Sequence, residues 1–310
     1  MDQTFIVLLL ISGIRLGTPL ALASMGETLS QRSGVLNLGI EGYLTIATVT
    51  AFVGAHYTNS PWLGMLMAIF ASTLLALIYG LLAITLGLSQ IVAGLGIMLF
   101  AGGLSCFLNQ IFFEYNPPSN VPMFQILDIP VLNQIPIIGQ ILFRQHSLFY
   151  IAIIMVVVFW FILERTKFGL RVKAVGESAA ATDAMGTNVN FVRFICVILC
   201  GIMAGVAGSH LVLGITGSFM TGMVGGRGFI VLAAVVLGRW RPVPVFLSTF
   251  LFGVLDAFQY RMQIVQLFDI PWEFWLILPY LAAILALIFT SGKTEFIPKE
   301  LCVPYLREEK

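Results

Sequence analysis

The feature that most constrains this chain is the recurrence of apolar runs about twenty residues long, the length of helix that crosses the hydrocarbon core of a bilayer. Such runs fall near 4–26, 35–57, 61–86, 90–113, 147–164, 190–213, 226–238, 242–264 and 271–290. Between them they leave only 10% charged residues among 310. Soluble domains carry about 25%, so water cannot be the only solvent. The pattern predicts an all-α integral membrane protein: one polytopic bundle of about nine transmembrane helices occupying residues 1–310 as a single domain. The stretch 216–228, with Gly217, Gly222, Gly225, Gly226 and Gly228, reads as a broken span, which leaves the count at eight to ten. No room remains for a soluble catalytic domain.

Several function classes drop out on the same arithmetic. The net charge is +1 with basic residues thinly spread, whereas a nucleic-acid partner calls for a clustered basic face. Cys106 and Cys302 stand alone; Cys196 and Cys200, four apart in an apolar run, read as small buried hydrophobes. His56, His146 and His210 are far apart and show no ligand spacing, so neither a metal nor a cofactor is expected. Gly292-Lys293-Thr294 is the nearest approach to a phosphate loop, but Leu287 stands where that loop needs a glycine. Any ATP-driven work must be done by another protein. Met1-Asp2-Gln3 lacks the basic start of a cleaved signal peptide, so the first run is expected to be retained.

Cytoplasmic loops collect Lys and Arg. With 165–193 placed inside, nine spans put the N-terminus outside and the C-terminus inside. Arg32, Arg165, Lys167, Arg171, Lys173, Arg193, Arg239, Arg241, Lys293, Lys299, Arg307 and Lys310 then lie on the inner side, and Arg15, Arg144, Arg227 and Arg261 do not. Residues 114–146 become an extracytoplasmic loop and 291–310 a cytoplasmic tail. The outer loop carries Pro117, Pro118, Pro122, Pro130 and Pro136 among Phe124, Ile126, Leu127, Ile129, Ile137 and Ile138. Proline at that density prevents a regular helix, while the apolar residues argue for a cap or re-entrant loop lying against protein or bilayer. The inner loop, 165–190, contains a short helix: Ser178 as N-cap, Ala179 to Ala181 as strong formers and Gly186 as stop. So short a helix persists only when packed.

Polar side chains inside spans are costly and default to functional candidates. They are Arg15, Asn37, Glu41, Gln90, Asp256 and Gln259, a candidate translocation path, with Asn109 and Tyr260 beside them. Arg15 either faces the bundle, with Glu27, Glu41 or Asp256 as counter-charge, or snorkels outward. Asn37 and Glu41, four apart, are expected on one helix face, lining a path or forming an interhelical hydrogen-bonded pair. Gly201-x-x-x-Gly205 with Gly208, and Gly94 with Gly96, are expected at close helix contacts.

The stretch Gly26-Glu-Thr-Leu-Ser-Gln-Arg-Ser-Gly-Val-Leu-Asn-Leu-Gly-Ile-Glu-Gly42 resembles the opening signature of the permease subunits of ABC importers. Within the branched-chain amino acid, ribose and nucleoside permease superfamily it is most similar to the nucleoside or simple-sugar branch, as is Gln90-Ile-Val-Ala-Gly-Leu. Gly169 to Val189 is similar to the cytoplasmic coupling segment of that superfamily, with Ser178-Ala179 where Asn-Pro is commoner. The resemblance implies a coupling helix at about Ser178 to Met185, with Glu177, Ser178, Ala181, Asp183 and Met185 meeting a cytoplasmic ABC ATPase. It also implies a second homologous permease chain, an extracytoplasmic solute-binding lipoprotein, and residence among the lipids of a bacterial cytoplasmic (inner) membrane. Nucleosides are the implied solute; simple sugars, riboflavin-like flavins and branched-chain amino acids stay open. From the residues alone, an ion-coupled transporter or channel built on Arg15, Glu41 and Asp256 also stays open. An intramembrane enzyme does not, because the spans supply neither nucleophile–base pairs nor metal ligands.

Overall fold

A computed structural model describes residues 3–118, 121–128, 138–265, 272–290 and 296–305. Thirteen α-helices dominate: α1 Gln3–Arg32, α2 Ile40–Thr58, α3 Pro61–Gly80, α4 Gln90–Phe113, α5 Ile138–Leu142, α6 Ser147–Arg165, α7 Lys167–Glu177, α8 Ala179–Ala184, α9 Val189–His210, α10 Arg227–Leu237, α11 Pro242–Val265, α12 Trp272–Leu276 and α13 Leu278–Thr290. Both α3 and α9 end in a π-helical turn, Leu81–Thr85 and Leu211–Thr216.

Among the described residues six helices are long and apolar enough to cross a membrane: Phe5–Arg32, Pro61–Thr85, Gln90–Phe113, Ser147–Arg165, Val189–Thr216 and Pro242–Gln263. The remaining three predicted runs differ for physical reasons. The helix α2 is more polar, because it lies in the middle of the bundle and need not satisfy lipid. The run 226–238 is only the eleven-residue α10, cut short by the glycine-rich turns before it. The last run is divided into α12 and α13, with residue 271 outside the described residues.

Burial sorts the helices into inner and outer. The second half of α1, from Leu20 to Gln31, is buried throughout, as are most of α2 and the middle of α9. Around them, α3, α4, α6 and α11 present Leu66, Phe70, Leu99, Phe107, Ile154, Val157, Phe161, Leu247 and Leu251 outward. A soluble protein does not tolerate apolar patches on that scale; the hydrocarbon core of a bilayer does. The main packing partners are α1 with α11 and α9, α2 with α3, α4 and α9, and α3 with α9.

Glycines set how closely these axes approach. A Cβ on Gly201 would meet Ala76, one on Gly208 would meet Ala47, and one on Gly205 would come 2.5 Å from both the Ile69 Cα and the Ser72 Oγ. The expectation of close contact therefore holds for all three, and for Gly94, which abuts Leu38 and Gly39. It fails for Gly96, whose Cβ would meet nothing within 4 Å, because that side of α4 faces outward. Gly205→Val is expected to lower the thermal unfolding midpoint in detergent, since overpacking against backbone costs about 1–3 kcal/mol. Gly96→Val is expected to leave it nearly unchanged. Equal midpoints for the two would show that the α3–α9 crossing is looser than described.

The outer loop is not wholly irregular. Ile126–Asp128 (β1) pairs antiparallel with Arg144–His146 (β2), with Leu127 opposite Gln145. Phe124 is buried, and its N–H donates to the Leu213 carbonyl at 2.9 Å, so this segment lies on the π-turn that ends α9, as a cap would. Of the predicted loop residues, Ile129, Pro130, Pro136 and Ile137 lie outside the described residues.

Candidate translocation and coupling sites

The segment Gly26–Gly42 folds as the end of α1, a tight turn and the start of α2, and polar side chains buried in the bundle lock it. Glu27 is fully buried. Its carboxylate accepts from Gln31 Nε2 at 2.9 Å, from the Asn37 N–H at 3.3 Å and from Cys200 Sγ at 3.3 Å. Gln31 Oε1 in turn accepts from Trp240 Nε1 at 2.7 Å, and Arg32 Nε donates to the Trp240 carbonyl at 2.9 Å. From the other side, Gln90 Oε1 accepts from the Leu36 N–H at 2.8 Å and Tyr79 donates to the Leu36 carbonyl at 2.8 Å. Gly34 holds the turn at φ +91°, and its carbonyl accepts from the Cys302 N–H at 3.2 Å. Thus α1, α3, α4, α9, Trp240 and the C-terminal tail meet the turn into α2 at one buried polar knot.

Asn37 and Glu41 do not share a helix face. The helix α2 begins only at Ile40, and Asn37 lies in the turn, where its Oδ1 accepts from the Gly39 N–H at 3.0 Å. Spacing of four is a facial relation only inside a helix, and the second glycine of the turn, Gly39, places the boundary between them. Asn37 and Gln90 thus brace the turn.

Glu41 reaches the other way. It caps α10, accepting from the Gly226 N–H at 2.8 Å and the Gly228 N–H at 2.6 Å. Gly228 permits this approach, since a Cβ there would sit 2.7 Å from the Glu41 Cα. A carboxylate at a helix N-terminus satisfies donors that hydrocarbon leaves unpaired and complements the helix dipole. Next along α10, Arg227 forms an ion pair with Asp256 of α11 at 3.2 Å and donates to the Tyr260 hydroxyl at 3.2 Å. Gln259 is buried beside Asp256 on α11. Tyr280 of α13 closes the cluster by donating to the Gly225 carbonyl at 2.6 Å.

None of the predicted carboxylates is the counter-charge of Arg15: Glu27 and Glu41 serve the turn and α10, and Asp256 serves Arg227. Arg15 Nε instead donates to Gln145 Oε1 at 3.4 Å. It lines a cavity of about 430 Å³ with Ser12, His146, Tyr260 and Arg261. Burial holds the His146 imidazole below its ordinary value, and its Nδ1 lies 3.2 Å from the Phe124 carbonyl.

At the opposite end of α1 the loop after α6 carries two helices. The predicted short helix is α8, with Ser178 Oγ accepting from the Ala181 N–H at 3.4 Å and Gly186 at φ +83° beyond its end. Ala179 and Thr182 are buried, while Glu177, Ala181 and above all Met185, at 86% exposure, are bare; Asp183 is half-buried. The preceding helix α7 was not predicted, although Thr166 caps it by accepting from the Gly169 N–H, and Val172 and Val175 form its buried stripe. The tail 296–305 straps this unit to the bundle. Glu300 Oε1 accepts from the Ala179 N–H at 3.1 Å, the Glu300 N–H donates to the Gly176 carbonyl, and buried Arg193 donates to the carbonyls of Ser33 and Val303. The basic residues placed on the inner side, among them Arg32, Lys173, Arg193, Arg239 and Arg241, gather at this end, where Arg239 and Arg241 lie over the Phe296 ring. Residues 291–295 and 306–310 of the predicted tail lie outside the described residues.

Residues 9–287 match the family described as the branched-chain amino acid transport system / permease component. The nucleoside ABC transporter permease protein NupC of Lactococcus lactis is 33% identical over 94% of both chains, and the guanosine ABC transporter permease protein NupQ of Bacillus subtilis is 35% identical over 94% of both. A putative glucose ABC transporter permease protein, TsgC13 of Haloferax volcanii, is 34% identical over 86% of this chain and 80% of its own. No solved structure matches. A bundle of long apolar helices with a buried polar knot at its opening signature, matched along nearly its full length, has one family assignment: the chain belongs to the branched-chain amino acid transport system permease family and is the non-catalytic, multi-pass permease component of an ABC transporter.

Proposed function

We propose that this permease imports nucleosides, as one half of a permease pair in a bacterial cytoplasmic membrane. Solute reaches it from an extracytoplasmic binding lipoprotein, and a cytoplasmic ABC ATPase drives it through the helix Ala179–Ala184. About nine crossings with the N-terminus outside would set the basic end of the bundle in the cytoplasm, in keeping with the bias of Lys and Arg. One observation carries the ATPase assignment: a helix of six residues, too short to be stable alone, is held on the bundle by the tail and presents small or apolar side chains outward. That is the shape of a part meant to enter a cleft on another protein. Support for nucleosides comes from the names of the two relatives matched over 94% of the chain. The sugar reading draws on the third relative. Candidate path residues are Arg15, Asp256 and Gln259, joined by Arg227 and Tyr260.

The test is gentle solubilisation of the tagged chain from its host, mass spectrometry of what co-purifies, and ATP hydrolysis by the complex in liposomes. Stoichiometric recovery of an ABC ATPase and a second multispan chain is expected, with hydrolysis stimulated by nucleoside together with the binding protein. Recovery of this chain alone, under conditions that preserve a known ABC complex, would sink the proposal. Stimulation by a monosaccharide and not by nucleosides would replace the solute.

A further inference from the structure

The four basic residues that fall away from the cytoplasmic end are not scattered. Arg15 and Arg261 line the 430 Å³ cavity, together with Ser12, His146 and Tyr260. Arg227 lines a second, of about 500 Å³, and the two share Leu16, Ile215 and Tyr260, so they form one depression between α1, α11 and the π-turn after α9. Arg144 sits on β2, next to Gln145, the hydrogen-bond partner of Arg15. Arg15 lies about 25 Å along α1 from Arg32 and the basic end, at 1.5 Å per residue.

Among the described residues, charge inside the depression is unbalanced. Arg227 is neutralised by Asp256. Among the described residues neither Arg15 nor Arg261 forms an ion pair; Arg15 meets a neutral amide, and Arg261 lies 5.2 Å over the Phe5 ring. Among the described residues no carboxylate lines either cavity. Two part-buried guanidinium groups that meet no carboxylate among the described residues carry a desolvation cost that a bound acceptor would repay. The Tyr260 hydroxyl accepts from Arg227, which leaves its own proton to donate. The polar rim is therefore rich in donors, while Leu16, Ile215 and Ala257 give it apolar walls. The floor is the π-turn Leu211–Thr216, a distortion that recurs at functional sites.

The geometry points to this depression as a solute site that selects 6-oxopurine nucleobases, guanine or hypoxanthine, with Arg15 and Arg261 reading the carbonyl edge and Leu16 and Ile215 holding the ring. A guanidinium pairs in two-pronged fashion with the O6 and N7 of a 6-oxopurine. Adenine offers an amino donor where that oxygen would be, and so meets like with like. A combined space of this size is in the range of small-molecule sites. This inference rests on the nucleoside reading above and narrows it.

The test uses the full complex with its binding protein in liposomes and measures initial uptake of guanosine, inosine and adenosine. The guanosine-to-adenosine ratio, taken with the same binding protein throughout, cancels that protein's own preference between wild type and variant. In Arg15→Gln and Arg261→Gln the ratio is expected to fall roughly 10- to 100-fold, the size of one lost two-pronged contact. Where Arg15→Gln fails to reach the membrane, Arg261→Gln at the half-exposed rim carries the test, with Arg261→Lys expected to restore part of the ratio. A fall in uptake of all three solutes by the same factor would overturn the inference and assign the guanidinium groups to docking the binding protein. An unchanged ratio with unchanged uptake would overturn it as well. Failure of the wild type to move any nucleoside would instead remove the nucleoside reading on which it stands.

Discussion

Replacing Ala181 by tryptophan together with Met185 by aspartate is expected to cut ATP-driven uptake at least about 100-fold while the protein still folds and reaches the membrane. Both side chains are exposed, Ala181 on α8 and Met185 as its C-cap, and they touch none of the contacts that hold it, which run through Ala179, Thr182, Ser178 and the Glu300 carboxylate. An apolar side chain at 86% exposure at the basic end of the bundle is a candidate hot spot for a protein partner. Loss of an apolar anchor such as Met185 costs about 2 kcal/mol or more, and an indole forced into a close-packed seat at Ala181 adds about 1–3 kcal/mol, together about a hundred-fold or more in affinity at 1.4 kcal/mol per decade. In the proposed coupling role, α8 would act by rigid-body transfer, so a weakened seat would lose force transmission as well as affinity. The measurement pairs uptake with recovery of the ATPase on the tagged permease; both should fall together. Normal uptake in a well-expressed double variant would remove α8 from the coupling role.

For the proposed coupling role, the strap formed by the tail would give this transfer a route. The same ten residues touch α8 through Glu300, the turn at Gly34 through Cys302, and the base of α9 through Val303 and Arg193. A displacement of α8 therefore acts at once on the turn that carries Asn37 and leads into Glu41. Packed elements with several shared anchors move as bodies.

How much of this was legible in the sequence depends on what set each feature. The long apolar helices were, because length and hydropathy are what the bilayer selects. The cap and stop of α8 were, because Ser178 and Gly186 act within four residues of where they stand. Helix α7 was missed although its signals were local: Thr166 is a good cap, but Lys167, Arg171 and Lys173 made the segment look like a charged loop. The start of α2 was misplaced because an apolar run does not stop at a turn whose hydrogen bonds are buried. The fate of Glu27, Glu41 and Asp256 was not legible at all. Each was a candidate partner for Arg15 on charge alone, and the choice was made by helix packing: Glu41 faces α10 because Gly228 lets it come close, and Arg227 reaches Asp256 from 29 positions away. Two sequence signals anticipated the site: polar side chains inside spans, which singled out Arg15 and Tyr260, and the exceptions to the charge bias. Residues that break the inner-side rule had no topological reason to be basic, and the structure places three of the four around one depression.

Glu41 separates the path from the drive. In Glu41→Ala the N–H groups of Gly226 and Gly228 lose a buried carboxylate that accepts from both, and bonds to charged acceptors are worth about 1.5–3 kcal/mol each. A total near 3–5 kcal/mol is expected, seen as a fall of the unfolding midpoint of roughly 10 °C. Glu41→Gln should fall between, since one carbonyl oxygen remains to accept while its amide turns donors toward donors. The consequence for function runs through α10. Its first residue is Arg227, and a frayed N-terminus lets that guanidinium leave Asp256 and Tyr260 at the wall of the solute depression. Uptake by Glu41→Gln at a temperature where it stays folded is thus expected to drop about tenfold, the worth of one misplaced polar contact. Recovery of the ATPase should not change, because none of the hydrogen bonds that hold α8 and its strap runs through Glu41. That is the reverse of the pattern expected for the α8 double variant, in which uptake and ATPase recovery fall together. If Glu41→Gln lost its ATPase to the same degree, the turn, α10 and α8 would be a single cooperative body and the division between path and drive would be wrong.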